Sequence, residues 1–373
     1  MIKVAIIGLG NAGNQIADLA SIESSIPAIA INSSEKDLST LKKVTRINVG
    51  TQGSGKDRGI AKKYIKNNFM KLVEAEDLCE LIQANDVIFV ISSTGGGSGS
   101  GTAPMLYELL NKLHPKKKFI LVGILPELRE SIASQQNTIE YLKEVKSIEG
   151  ITYMLYDNNR KGDLKGSLTL KAINNEVIED IKIIRGDYQF STPYNSIDEC
   201  DMMKILNTTN MINVTKLYDI KEKDLDKKTI EDMLIDYLKN ESTMCEVERD
   251  GIVKRMGLII NIVEKLQPHI DRELVKLKNV VGEAVEEFEH EYIYEDKNQV
   301  NRIILILSGL SIPDDRINKI LERMEEAMEA ISKSKEGSLL DVYENEDING
   351  LRKDEEKEIN EEVDVNSIFD KFM

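Results

Sequence analysis

Residues 93–104 read "STGGGSGSGTAP", set between the apolar run "DVIFVIS" (86–92) and "MLYELLNKL" (105–113). Gly95, Gly96, Gly97, Gly99 and Gly101 strip side chains from a strand-to-helix turn, so backbone N–H groups can approach phosphate oxygens. Ser98 and Ser100 add hydroxyl donors, and the N-terminus of the following helix adds its dipole. A flexible linker has a similar composition. A linker, however, does not normally sit between a fully apolar strand and a helix whose first turn carries Pro104. The stretch therefore reads as a phosphate cradle on an α/β fold.

Two other loops compete for the same role. "GLGNAG" (8–13) follows "IKVAII" and places Gly8, Gly10 and Gly13 in the G-x-G-x-x-G spacing of a dinucleotide turn. A nicotinamide site also wants an acidic residue at the end of the second strand to hold the ribose; here the strand ends on Asn32, with Ser33 and Ser34 following. No His or Lys/Tyr pair stands out as a hydride-transfer acid, so an NAD-dependent oxidoreductase is the weaker alternative. "GTQGSGKD" (50–57) nearly matches the P-loop pattern, but Asp57 stands where a hydroxyl would bind Mg²⁺. One such loop suffices for a dinucleotide. Two or three on one sheet edge imply a full triphosphate.

The surroundings of these loops give the fold class. Strands are expected at 3–7, 28–32, 46–49, 86–92, 119–125 and 151–156, with helices near 12–21, 58–72, 102–113 and 131–147. Near-continuous apolar strands alternating with helices indicate a parallel sheet covered on both faces, with ligands at the carboxyl ends of the strands. A helix is expected over 167–186, ending on Gly186. Beyond it a mixed region has strands at "MINVTKLY", "IVKRMGLIINIVEKL" and "NRIILIL" and helices near 227–239 and 315–334. The expected fold is α/β: a Rossmann-like nucleotide domain (1–166), a long central helix (167–188), a smaller α+β domain with a terminal helix (189–335) and a mostly disordered acidic tail (336–373).

Composition narrows the function. With 373 residues and 41% hydrophobic content, the chain can bury a sizeable core. Cys79, Cys200 and Cys245 lack C-x-x-C spacing and the three histidines are scattered, so no metal centre is expected. No apolar stretch is long enough for a membrane span, and the N-terminus lacks a signal-peptide layout, which points to the cytoplasm. The net charge of −16 includes 13 acidic against 4 basic residues over 336–373. Direct nucleic-acid binding is not expected, and any link to DNA would run through an adaptor protein.

Taken together, the motifs resemble those of the tubulin/FtsZ superfamily of GTPases, whose signature G-G-G-[TS]-G-[ST]-G is met by "GGGSGSG" (95–101). The resemblance implies a first nucleotide loop in "GLGNAGNQ", with Gly10, Asn11, Ala12, Asn14 and Gln15, and a second in "AINSS", with Asn32 and Ser33. "GTQGSGKDRG" would be the third loop, approaching the γ-phosphate with Gly53, Ser54, Gly55 and Lys56. "LPELRE" is similar to the fifth, putting Glu130 near the ribose, and "YDNN" to the sixth, putting Asn158 or Asn159 near the guanine. The helix motif "INNEVIEDI" (173–181) would let Asn175 read the guanine edge. An amide does carry both the donor and the acceptor this needs, although the same residue type is ordinary on an exposed helix face.

The superfamily's remaining element matches "SIDECD" (196–201), with Ser196 where an Asn is usual. By resemblance, Asp198 and Asp201 would reach the nucleotide of the next subunit and orient the attacking water. The same pair also reads as a helix N-cap and first turn. The aromatic that often stacks on guanine has no clear counterpart, since Leu170 or Lys171 falls near its place. The resemblance implies GTP/GDP with Mg²⁺, and hydrolysis activated by head-to-tail polymerisation of the chain with itself. The divergent second region and long terminal helix point to the plasmid- and phage-borne branch whose filaments partition DNA; a cell-division or cytoskeletal GTPase is the alternative. Partition would need a DNA-bound adaptor, which "VNSIFDKFM" at the chain end could dock, unless the tail only aids solubility.

Overall fold

The computed structural model describes all residues except 162–165, 248–252, 272, 296–298 and 337–364. Six strands, β1 (Val4–Leu9), β2 (Ala28–Asn32), β3 (Thr45–Asn48), β4 (Val87–Ser93), β5 (Lys118–Leu125) and β6 (Thr152–Asp157), pair in parallel in the order β3-β2-β1-β4-β5-β6. They alternate with helices α1 (Gly10–Glu23), α2 (Glu35–Ser39), α3 (Arg58–Val73), α4 (Glu76–Ala84), α5 (Ser98–Leu113) and α6 (Ile132–Ser147). The strands all finish on the edge that carries the glycine loops. The short α2 and α4 were not anticipated; α2 is a single turn held by its Ser34 cap.

The second region, expected as a smaller α+β domain, contributes its strands to the first sheet. β7 (Asn210–Tyr218), β8 (Val253–Val263), β9 (Ala284–Tyr294) and β10 (Arg302–Leu310) extend the first sheet to ten strands, continuing β6-β7-β10-β8-β9. The junction is slender. Only Thr152 with Asn210 and Tyr153 with Met211 are in register, reinforced by the Asn210 N–H donating to Ile151 O at 2.6 Å. Pairing there satisfies the backbone groups that β6 would otherwise leave open as an edge. β10 alone runs antiparallel to its neighbours, so the sheet is mixed.

Alternating strand residues face opposite layers. Ala5, Ile7 and Leu9 of β1 join a core with α3, α5 and α6, whereas Val4 and Ile6 join one with α1 and α7 (Ser167–Arg185). α7 ends as read, on Gly186 in a left-handed conformation (φ 96°). It is fixed to the second region by Lys216 of β7, which pairs with Glu176 at 2.9 Å and with buried Asp180; Tyr156 of β6 donates to Asp180 at 2.8 Å. Burial pushes the Asp180 carboxyl up, and the adjacent Lys216 ammonium opposes that rise.

Further helices are α8 (Glu199–Leu206), α9 (Glu222–Leu225), α10 (Ile230–Asp236), α11 (Val275–Val281) and α12 (Asp314–Glu336). The disordered tail expected over 336–373 lies largely outside the described residues. Its last piece is a helix, α13 (Val365–Phe372), which packs on the body. Ile368, Phe369 and Phe372 are buried, and Phe369 meets Phe69 of α3 edge-on with centroids 5.1 Å apart. Lys371 pairs with Glu108 of α5 at 2.8 Å.

Candidate nucleotide-binding site

Three glycine loops, which follow β1, β3 and β4, meet at the carboxyl edge of the sheet, and their glycines are what lets them meet. Gly10 takes φ 67°, and a Cβ there would stand 2.7 Å from the Gly99 backbone nitrogen. A Cβ on Gly99 would lie 2.7 Å from Leu9 O; one on Gly97 would lie 2.3 Å from Ser54 Oγ and 2.6 Å from Lys56 Cα. No real side chain tolerates such spacings. The N-termini of α1 and α5 are thereby brought side by side, so their free N–H groups and dipoles share one anion-attracting edge.

Hydroxyls fill the junction. Ser98 Oγ lies 3.0 Å from Ser54 Oγ and 3.5 Å from Ser33 Oγ, joining two of the glycine loops to the turn after β2. Ser100 differs from its expected role: its side chain donates to Gly96 O inside the helix turn. Lys56 has φ 68° and donates to Ser131 Oγ at 3.0 Å and Ser134 Oγ at 2.9 Å, on the start of α6. Gly95 and Gly96 are tied to the same helix, their carbonyls accepting from Asn137 at 3.3 and 3.0 Å. Gly53 and Gly55 have nothing closer than 3.8 Å where a Cβ would stand, and Gly101 rests on Arg58. Asp57, out of place for a Walker motif, caps α3 through Ile60 N–H at 3.0 Å. Among the described residues, no group of three His, Cys, Asp or Glu could hold a metal ion.

Amides border the same edge. On α1, Gln15 donates to Asn11 Oδ1 at 3.1 Å beside half-buried Ala12, and buried Asn14 donates to Ile31 O at 3.3 Å while its Oδ1 has no partner. Asn32 accepts from Ser33 N–H at 2.8 Å. The loops after β5 and β6 join when Leu128 N–H donates to Asn159 Oδ1 at 3.1 Å; Glu130 accepts from Glu127 N–H at 3.0 Å. Asn158 is buried with its Oδ1 unpartnered. Asn175 is exposed on α7, in an open cavity of about 540 Å³ shared with Glu176, Glu179, Lys216 and Tyr237, none of them from the glycine loops.

Sequence reasoning missed Arg316 of α12. Its guanidinium is buried and grips Asp157 (2.6 and 3.1 Å) and Pro126 O (2.7 Å), holding together the ends of β5 and β6 from which Glu130 and Asn159 depart. A partner 159 residues away leaves no local trace in the sequence; an Asp beside "NN" was the available hint.

Asp198 and Asp201 form a capping box at the start of α8: the Asp201 N–H donates to Asp198 Oδ1 at 2.8 Å, and Asp201 contacts Lys204 at 3.3 Å. They stand at the other edge of the sheet. The N-terminal ammonium, which precedes β1, meets Glu199 at 2.5 Å, whereas the glycine loop follows β1. The six residues of β1 span about 20 Å, and the 19-residue α7 descends about 28 Å between the two edges. The carboxylates and the loops cannot meet within one chain.

Comparison with known proteins bears on the family and the fold. Residues 3–163 match the model of the Tubulin/FtsZ family, GTPase domain. The chain is similar, at 26% identity over 399 positions, to the tubulin-like protein TubZ of a Clostridium botulinum C phage, all of this chain and 99% of that one being aligned. The crystal structure of Clostridium botulinum phage c-st TubZ superposes with a TM-score of 0.69 at 24% identity, covering 88% of this chain and 98% of that one. A GTPγS-form protofilament of Bacillus thuringiensis serovar israelensis TubZ gives 0.72 at 16% identity, covering 90% and 93%. Likeness of that degree establishes a shared fold. No helix among the described residues is long and apolar enough to cross a membrane.

Proposed function

We propose, for a chain that belongs to the tubulin/FtsZ family and carries its GTPase domain, that GTP is hydrolysed only between two copies stacked head to tail. The glycine loops of one subunit hold the triphosphate, and Asp198 and Asp201 of the next complete the site. The observation that carries this reading is the separation of the two half-sites on opposite edges of one sheet. A contact joining unlike ends does not close, so it propagates a filament. A protofilament is what the Bacillus thuringiensis relative forms.

Phosphoryl transfer needs positioning and charge control more than covalent chemistry. Backbone N–H groups at Gly10, Asn11 and Gly95–Gly99 would bind the phosphates, with Ser54 and Ser98 hydroxyls at the junction. Lys56, Gly53 and Gly55 would border the γ-phosphate, Glu130 the ribose, and Asn158, Asn159 and Asn175 the guanine. The incoming carboxylates would orient and polarise the attacking water. Mg²⁺ would come with the triphosphate and neutralise its charge, since the chain offers hydroxyls there and no carboxylate cage. Turnover per subunit should rise steeply with protein concentration across the assembly range; a flat profile overturns the proposal.

The finer role we propose is the one implied by the sequence resemblance: filaments that move plasmid or phage DNA through a DNA-bound adaptor. The acidic tail supports an adaptor over direct DNA contact. Because the apolar face of α13 is already seated on the body, an adaptor that docks there must displace it. Removing residues 336–373 should preserve GTP hydrolysis and abolish adaptor binding; unchanged binding removes the tail from this role.

A further inference from the structure

α5 begins at Ser98, so Pro104 lies in its second turn, later than the first-turn position read from the sequence. Proline has no N–H, and the carbonyl four residues back, that of Ser100, loses its helical donor. Ser100 is fully buried, where an unpaired carbonyl is costly. Arg58 supplies the missing donor: its Nη2 lies 3.0 Å from Ser100 O.

Arg58 is the first residue of α3, directly after the loop 50–57, and is 5% exposed. The same guanidinium pairs with Glu144 at 2.5 Å and Glu140 at 3.0 Å, both on α6. Its backbone occupies the space a Cβ on Gly101 would need, 2.7 Å from Arg58 O and 2.9 Å from Arg58 Cα. α6 braces the neighbouring backbone as well, Asn137 donating to Lys56 O at 3.0 Å. One rigid fork thus ties the loop 50–57, the glycine loop and α6 together at a point where a proline has freed the acceptor.

We infer that Arg58 is a positioning residue that locks the loop 50–57 onto the glycine loop through the carbonyl freed by Pro104, and so sets how firmly the γ-phosphate end of the nucleotide is held. This rests on reading the loops as the nucleotide cradle. Arg58 points into the protein and away from the phosphate edge, so it acts through Ser54, Lys56 and Ser98. A lysine cannot replace it, because an ammonium lacks the planar fork that reaches a carbonyl and two carboxylates together.

The test compares GDP with a non-hydrolysable GTP analogue, binding each to the full chain below its assembly concentration. Arg58→Lys should weaken the analogue about tenfold while GDP changes less than about twofold, because only the triphosphate reaches the loop 50–57. Glu140→Gln, at a half-exposed partner, should shift the ratio in the same sense by less. Pro104→Ala, which restores a competing N–H donor to Ser100 O, should do likewise. Equal losses for both nucleotides would reduce Arg58 to a general structural role, and an unchanged ratio in all three variants would overturn the inference. Wild-type chain that bound neither nucleotide would instead refute the cradle itself.

Discussion

At Asp198, the capping duty and the proposed chemical duty rest on one carboxylate, and asparagine separates them. Asn caps a helix about as well as Asp, so Asp198→Asn should leave the melting temperature within about 2 °C while lowering GTP turnover above the assembly concentration by about 100-fold. Turnover within twofold of wild type would return Asp198 to capping alone. At Gly97 the constraint is steric. A methyl group 2.3 Å from Ser54 Oγ and 2.6 Å from Lys56 Cα forces the two loops apart. Gly97→Ala should cost about 1–3 kcal/mol in denaturant unfolding and weaken nucleotide binding; a variant as stable and as tight-binding as wild type would show that the loops yield freely.

Among the elements, β5 carries a half-buried cation at its first residue. Lys118 donates to Thr152 Oγ1 at 2.7 Å, and burial lowers its pKa from 10.5 to about 8. Between those values the folded chain binds fewer protons than the unfolded one, so this group adds stability as pH rises from about 8 toward 10.5; below 8 the full burial cost stands. Lys118→Met should therefore raise stability at pH 7 by on the order of 1–3 kcal/mol, an advantage that shrinks by pH 10. An advantage independent of pH would mean that packing, and not charge, sets it. α13 makes a second case: Phe369→Ala removes the ring against Phe69, so amide exchange over 365–372 should accelerate while the sheet core keeps its protection.

The elements also divide by how their signals were written. β1 to β6, α7 and its Gly186 terminus were legible because apolar runs and cap residues are local. The second region was not read as part of the same sheet, since strand order depends on non-local pairing, here two residue pairs between β6 and β7. β9 escaped notice because "AVEEFEHEYIY" reads as acidic and lies at the edge of the sheet, where one side of the strand stays open. In the site, the glycines announced the close approach of the loops, but Ser100 turned inward and Pro104 lay later in its helix than its sequence context suggested. Arg58 and Arg316 were invisible because both act through partners far along the chain.

For the whole molecule, one continuous sheet separates the glycine loops from the Asp198–Asp201 pair, and the proposed function takes the subunit to be incomplete alone. Two variants, each defective in a different half-site, test this most directly. Asp201→Ala keeps its loops, Gly97→Ala keeps its carboxylates, and each alone should hydrolyse GTP poorly. In mixed filaments recovered by sedimentation, the interface that joins intact loops to intact carboxylates should restore turnover to a sizeable fraction of the wild-type rate, about a quarter for random mixing. Mixed filaments that hydrolyse no faster than the two variants measured separately would contradict the account.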